Sequence, residues 1–253
     1  MELTYEEKLN HDEKRTKLSS TSTSHSLPTT TTIMSQNIIS QPTSGVTRLS
    51  TLSGHQGGIT KCNFHPTGRF IGTAGIDSTW RFWDVETSIE LQLQDGHVRE
   101  CNAIDFHNDG SLVATGDIGG VVLVWDLRSG QSIHSFLGHI KKIVSTNWNI
   151  NGYQLATGST DNTVKIWDLR SKKCSYTLPA HSHAISEARF SKSGEILLTS
   201  SFDKTIKLWN TRDYDILKTL SGHTSKIMCC DISNDEKSIM SGSYDRTIKL
   251  WKK

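Results

Sequence analysis

Evenly spaced carboxylates are the first residues of this chain that could do chemistry: Asp77, Asp161, Asp203 and Asp245. Two carboxyl groups held in unlike surroundings can act as an acid/base pair. Here each sits in the same kind of tight turn, so they read as turn residues rather than as such a pair. His181-x-His183 offers two imidazoles, but no cysteine or carboxylate ligand set completes a metal site around them. No G-x-S-x-G, G-x-x-x-x-G-K or Rossmann glycine pattern occurs. The sequence therefore predicts no catalytic residue, no metal, no cofactor and no small-molecule substrate. It reads as a non-enzymatic protein.

The bulk properties narrow the class further. Among 253 residues, 34% are hydrophobic and 21% charged, which suits a folded chain with one long polar segment. No apolar run approaches the ~18 residues of a membrane span, so no membrane partner is expected. A net charge of +2 gives no global footprint for nucleic acid, and any RNA contact must use a local basic patch. Cys62, Cys101, Cys174, Cys229 and Cys230 are odd in number and form no C-x-x-C pair. They read as small buried strand residues in a reducing compartment.

The elements that position these residues come from an internal repeat. His55, His97, His139, His181 and His223 each lie 42 residues apart, and so do Trp83, Trp125, Trp167, Trp209 and Trp251. Each unit reads as four short strands, for example IVSTNW, QLATGS, TVKIW and CSYTL, separated by polar turns such as NING. A sheet of about 42 residues cannot bury both of its faces alone, but copies packed radially can. The expected fold is all-β, a propeller of four-stranded blades with five repeats visible, over residues 47–253. Residues 1–46 carry a Ser/Thr-rich tract with too few apolar side chains to fold, and are expected to be disordered. The last unit stops after its third strand, and Thr47–Leu52 (TRLSTL) is expected to pair with it and close the ring.

These units resemble the WD-repeat family. The resemblance implies a hydrogen-bonded tetrad of histidine, strand hydroxyl, turn aspartate and tryptophan, here His139–Ser159–Asp161–Trp167, His181–Ser201–Asp203–Trp209 and His223–Ser243–Asp245–Trp251. In the first unit Gly75 stands at the Ser position, and in the second Asp117 and Gly119 replace Ser and Asp, so those two blades are expected to be looser. Longer stretches, including FHPTGRFIGTAGIDSTWRFWD (64–84) and NGYQLATGSTDNTVKIWDLRSKKCSYTLPAH (151–181), look like one branch of the family. That branch is the pre-mRNA processing factor four group, the WD-repeat subunits of the U4/U6 small nuclear ribonucleoprotein. Its propeller has seven blades, against five units here.

That likeness implies a scaffold in the nucleus, within the U4/U6 and U4/U6.U5 tri-snRNP, acting in pre-mRNA splicing. Its partners would be other U4/U6 proteins and the U4 and U6 small nuclear RNAs. On the face implied for binding lie Arg99, Lys142, Phe202, Lys226 and Tyr244, cations beside aromatics of the kind that hold a protein partner or track an RNA backbone. Arg170-Ser-Lys-Lys173 with Lys141-Lys142 adds a basic stretch. A second reading is a substrate receptor of a cullin-based ubiquitin ligase, since Trp167-Asp-Leu-Arg170 fits a W-D-x-R adaptor box. A generic WD-repeat scaffold is the third.

Overall fold

The structure, a computed structural model, describes residues 50–252. Its strands lie in one compact unit, Thr51–Lys253, and no helix occurs among the described residues. The segment 1–46 lies outside them.

Five antiparallel sheets follow one another along the chain. Blade 1 holds β1 (Ile59–Phe64), β2 (Phe70–Gly75), β3 (Thr79–Asp84) and β4 (Glu90–Asp95). Blade 2 holds β5 (Cys101–Phe106), β6 (Leu112–Asp117), β7 (Val122–Asp126) and β8 (Gln131–Phe136). In blade 3 these are β9 (Ile143–Trp148), β10 (Gln154–Ser159), β11 (Val164–Asp168) and β12 (Lys173–Leu178). Blade 4 has β13 (Ile185–Phe190), β14 (Ile196–Ser201), β15 (Thr205–Asn210) and β16 (Ile216–Ser221). Blade 5 has three strands, β17 (Ile227–Ile232), β18 (Ser238–Ser243) and β19 (Ile248–Lys252). The expected closing strand, Thr47–Leu52, lies outside the described residues up to position 49, and Ser50–Leu52 is in no strand.

The local rules explain these strands. A second strand sandwiched between two blades is buried on both faces, as in ILLTSS of β14, where all six residues are buried. Outer strands face solvent and read polar, as in KCSYTL of β12, where only Leu178 is buried. A shift of register recurs at the start of the inner strand, between Ile59 and Lys61, Cys101 and Ala103, Ile185 and Glu187, and Ile227 and Cys229. Such bulges re-aim side chains at a fixed place. The turn after each aspartate uses the left-handed region at Ser78, Gly120, Asn162, Lys204 and Arg246.

Blades pack in chain order, each inner strand against the blade before it. Ala114, Val124, Ile143, Trp148 and Leu155 form one inter-blade core, and Ile166, Leu178, Ile185, Phe190 and Leu197 the next. Trp80, unusual for its repeat position, is fully buried and meets Trp125 edge-on at 5.7 Å. Of the cysteines expected to be buried, only Cys101 and Cys230 are; Cys62, Cys174 and Cys229 are exposed. Cys174 is on an outer strand, and Cys62 and Cys229 are on the inner strands of the two end blades.

Candidate interaction face and the network behind it

Each blade is pinned by a relay of hydrogen bonds from its tryptophan to its aspartate. In blade 3 the Trp167 Nε1–H donates to Thr157 Oγ1 at 2.8 Å. Thr157 Oγ1 lies 2.8 Å from His139 Nε2, and His139 Nδ1 lies 2.8 Å from Asp161 Oδ2. The imidazole thus stands hydrogen-bonded between the threonine hydroxyl and the carboxylate. Asp161 also accepts from the Ile140 and Thr163 N–H groups and from the Thr163 hydroxyl. The same relay runs through Trp209–Thr199–His181–Asp203 and Trp251–Ser241–His223–Asp245.

The hydroxyl therefore needs a correction. Ser159, Ser201 and Ser243 were expected in the tetrads, and the structure puts Thr157, Thr199 and Ser241 there. Strand residues two apart share a face, so both hydroxyls point the same way and only one reaches the indole. Ser159 Oγ instead donates to Lys141 O and accepts the Asp161 N–H, which ties the turn to the inner strand. Ser201 and Ser243 do the same at His183 O and Ser225 O.

The gaps expected in blades 1 and 2 close for the same reason. Thr73 accepts from Trp83 and faces His55, which pairs with Asp77 at 2.9 Å. In blade 2, Thr115 takes the hydroxyl position, and Asp117, although two residues early, reaches His97 Nδ1 at 3.2 Å. One signal in the chain could have found this. The column Thr73, Thr115, Thr157, Thr199, Ser241 is a hydroxyl in every repeat, whereas the column two residues later is Gly, Asp, Ser, Ser, Ser.

A hydroxyl, an imidazole and a carboxylate in line look like a nucleophilic triad. Here the hydroxyl accepts the indole proton and Thr157 is fully buried, so the relay presents no nucleophile to a substrate. Burial opposes ionisation of the turn aspartates, but hydrogen bonds overcome it. Thr79, Gln56 and His55 hold Asp77 at about 2. Burial pushes the His181 imidazole below its ordinary value, against the pull of Asp203. Among the described residues no group of three or more His, Cys, Asp or Glu is placed to hold a metal ion.

Asp105, on an inner strand, is set apart from the turn aspartates. Burial raises its carboxyl to about 6, against the hydrogen bond from the Trp148 N–H and the nearby Arg189 and Asn147. A raised carboxyl stabilises the fold fully below its ordinary value near 4, and that contribution is lost as pH rises through about 6. Asp105→Asn cannot ionise. Its melting temperature relative to the parent should climb between pH 5 and pH 8, by an amount worth about 1–2 kcal/mol. A difference that stays flat over that interval, followed by thermal unfolding, would mean that Asp105 does not titrate there.

The expected binding residues are brought together only in part. Lys226 Nζ lies 5.1 Å from the Phe202 ring centre and 5.2 Å from that of Tyr244, so one ammonium bridges blades 4 and 5 between two aromatic faces. Backbone hydrogen bonds set this corner: Phe202 N–H to Ala184 O and Tyr244 N–H to Lys226 O. Tyr244 is 63% exposed. Lys142 occupies the matching corner of blade 3, where its carbonyl accepts the Thr160 N–H. Arg99 lies in blade 2, its side chain alongside Gly119. Lys142 and Arg99 thus carry positive charge on other blades. Arg170 is engaged within its own blade. It donates to both carboxylate oxygens of Asp168 and stacks 3.5 Å over Tyr153.

Comparison with known proteins bears on both the repeat and its use. The family model described as WD domain, G-beta repeat, matches residues 46–84, 89–126, 130–168, 172–210 and 214–252. Over 52 residues, 21% of this chain, the sequence is 48% identical to a Saccharomyces cerevisiae protein named U4/U6 small nuclear ribonucleoprotein PRP4. The matched stretch spans 11% of that relative's length.

Proposed function

The chain belongs to the WD-repeat family, and from that premise we propose that it is a non-enzymatic scaffold of the spliceosomal U4/U6 particle. The observation that carries this reading is the 48% identity over 52 residues to the yeast U4/U6 small nuclear ribonucleoprotein protein. A scaffold of this kind works in the nucleus. It holds partner proteins on its blade corners and meets the U4 and U6 RNAs through phosphates rather than through base edges. The Lys226 corner suits that role, because a cation flanked by two aromatic rings offers both charge and stacking area. The Trp167–Arg170 box gives no separate support to a ligase receptor, since the guanidinium is already held by Asp168 and Tyr153.

The test is a tagged chain recovered from nuclear extract at moderate salt, with the bound RNA probed for U4 and U6. Enrichment of both is expected, and Lys226→Glu combined with Tyr244→Ala should lower it several-fold while the protein stays folded. A folded chain that enriches neither RNA overturns the proposal.

A further inference from the structure

Three of the chain's five tyrosines, Tyr153, Tyr176 and Tyr214, meet at the junction of blades 3 and 4. The repeat does not call for them. No other unit has a phenylalanine, tyrosine or tryptophan at any of the three places: Gln92, His134 and Lys218 stand where Tyr176 does, and Ser88, Gly130 and Lys172 where Tyr214 does. Each ring comes from a different element. Tyr153 directly precedes β10, Tyr176 lies on the outer strand β12, and Tyr214 occupies the turn between β15 and β16. Tyr176 stacks on Tyr214, with ring centres 4.8 Å and planes 28° apart, and Arg170 lies over Tyr153.

Tyr214 is the unusual member. Its backbone is left-handed, φ 60°, at a turn place that Gly130 fills in blade 2. That conformation is unfavourable for a bulky side chain. Its ring packs into the core with Leu178, Phe190 and Leu197 and is 8% exposed. The hydroxyl is buried and has no hydrogen-bond partner among the described residues. Burial, with Tyr153 and Tyr176 close by, pushes its ionisation up to about 12, so it stays a protonated donor. A buried O–H without an acceptor costs stability and is rare in a folded chain. Its complement is an acceptor supplied from outside. Tyr176 is the cover that must yield: it is 44% exposed, on a strand whose residues are exposed as far as Thr177. Exposed side chains change rotamer readily.

The rest of the cluster selects the kind of acceptor. Asp168 takes the Arg170 Nε–H and a terminal N–H, so the guanidinium is already neutralised and offers a phosphate no site of its own. What remains is flat ring surface and a donor. A polyproline II segment has the matching features. Its backbone makes no internal hydrogen bonds, so its carbonyls are free to accept. Proline has no N–H, and brings no donor that the cluster would leave unpaired. Such segments dock on aromatic-lined surfaces.

We propose that the Tyr153–Tyr176–Tyr214 cluster is a docking site for a proline-rich segment of a partner protein in the polyproline II conformation. Tyr176 turns to admit a carbonyl that accepts the Tyr214 O–H, and prolyl rings on either side pack against Tyr176 and the Arg170 plane. The site uses an outer strand rather than the Lys226 corner, so it stands without the splicing reading. Recovery of RNA tests that reading, and peptide binding tests this one.

Fluorescence polarisation of a dye-labelled decaproline peptide, titrated with the full 253-residue chain to millimolar concentration, is the experiment. Saturable binding is expected, with none for a Gly-Ser peptide of the same length. Tyr176→Ala should abolish it. Tyr214→Phe keeps the ring and removes the hydroxyl, so binding should weaken about tenfold while the urea midpoint of the free chain holds or rises. A hydroxyl that served the fold alone would lower the midpoint and leave binding untouched. Absence of saturable decaproline binding, variants that bind as the parent does, or a Tyr214→Phe chain that unfolds at lower urea would each overturn the proposal. So would a decauridine oligonucleotide that binds in place of the peptide and is lost with Tyr176→Ala.

Discussion

Trp167→Ala is expected to cost about 3–5 kcal/mol of folding stability, the range for removing a large aromatic from a packed core. The indole is 1% exposed, stacks on Phe136 of the preceding blade at 5.0 Å, and starts the relay through Thr157. Its loss opens a cavity between blades 2 and 3 and leaves the Thr157 hydroxyl without its donor. Domains of this kind are stable by only about 5–15 kcal/mol, so the variant should unfold at a much lower urea concentration. Trp251→Ala should cost less, because that indole lies in the end blade and is only half-buried. A Trp167 loss below about 1 kcal/mol, or equal losses at the two positions, would show that the indoles are not what joins the blades.

Thr157→Val is expected to cost about 2–4 kcal/mol although it keeps the side-chain shape. It strands two buried groups at once, the Trp167 Nε1–H and the His139 Nε2, each worth roughly 1–3 kcal/mol when unpaired. Ser159→Ala should cost only about 1 kcal/mol, since Ser159 braces the turn and lies outside the relay. Denaturant unfolding of the two variants side by side reads the difference. If Ser159→Ala were the more damaging, the hydroxyl assignment would be wrong. The acid limb should follow the turn aspartates. Their carboxyls sit below the usual range, so the stability they contribute is complete above about pH 4 and is lost as pH falls toward 2.

The architecture was legible because it is periodic. Histidine and tryptophan at a 42-residue spacing locate every blade, and the runs ITKCNF, CNAIDF, IVSTNW, ISEARF and IMCCDI are β1, β5, β9, β13 and β17 residue for residue. That follows from local physics: β-branched and aromatic runs of this length, bounded by turn residues, have few other ways to fold. The candidate face was legible only in part. Lys226, Phe202 and Tyr244 were within reach of the repeat pattern, but their stacking depends on the distance between two blades, which no single repeat contains.

What the sequence determined by itself was the number of repeats, the strands within each, the histidine and tryptophan of every repeat, and the turn aspartate of four of them. Tertiary structure decided which of two hydroxyls on the same strand face meets the indole, because Thr157 and Ser159 differ only in how far along the strand the neighbouring side chain arrives. It also decided that Asp117 can serve for the aspartate missing at Gly119, since a carboxylate is judged by where its oxygens reach rather than by its place in a motif. Burial was the third decision left to packing. Ile59 and Ile143 hold the same place in their repeats, yet one is 56% exposed and the other fully buried, because burial depends on the blade that stands in front of a residue.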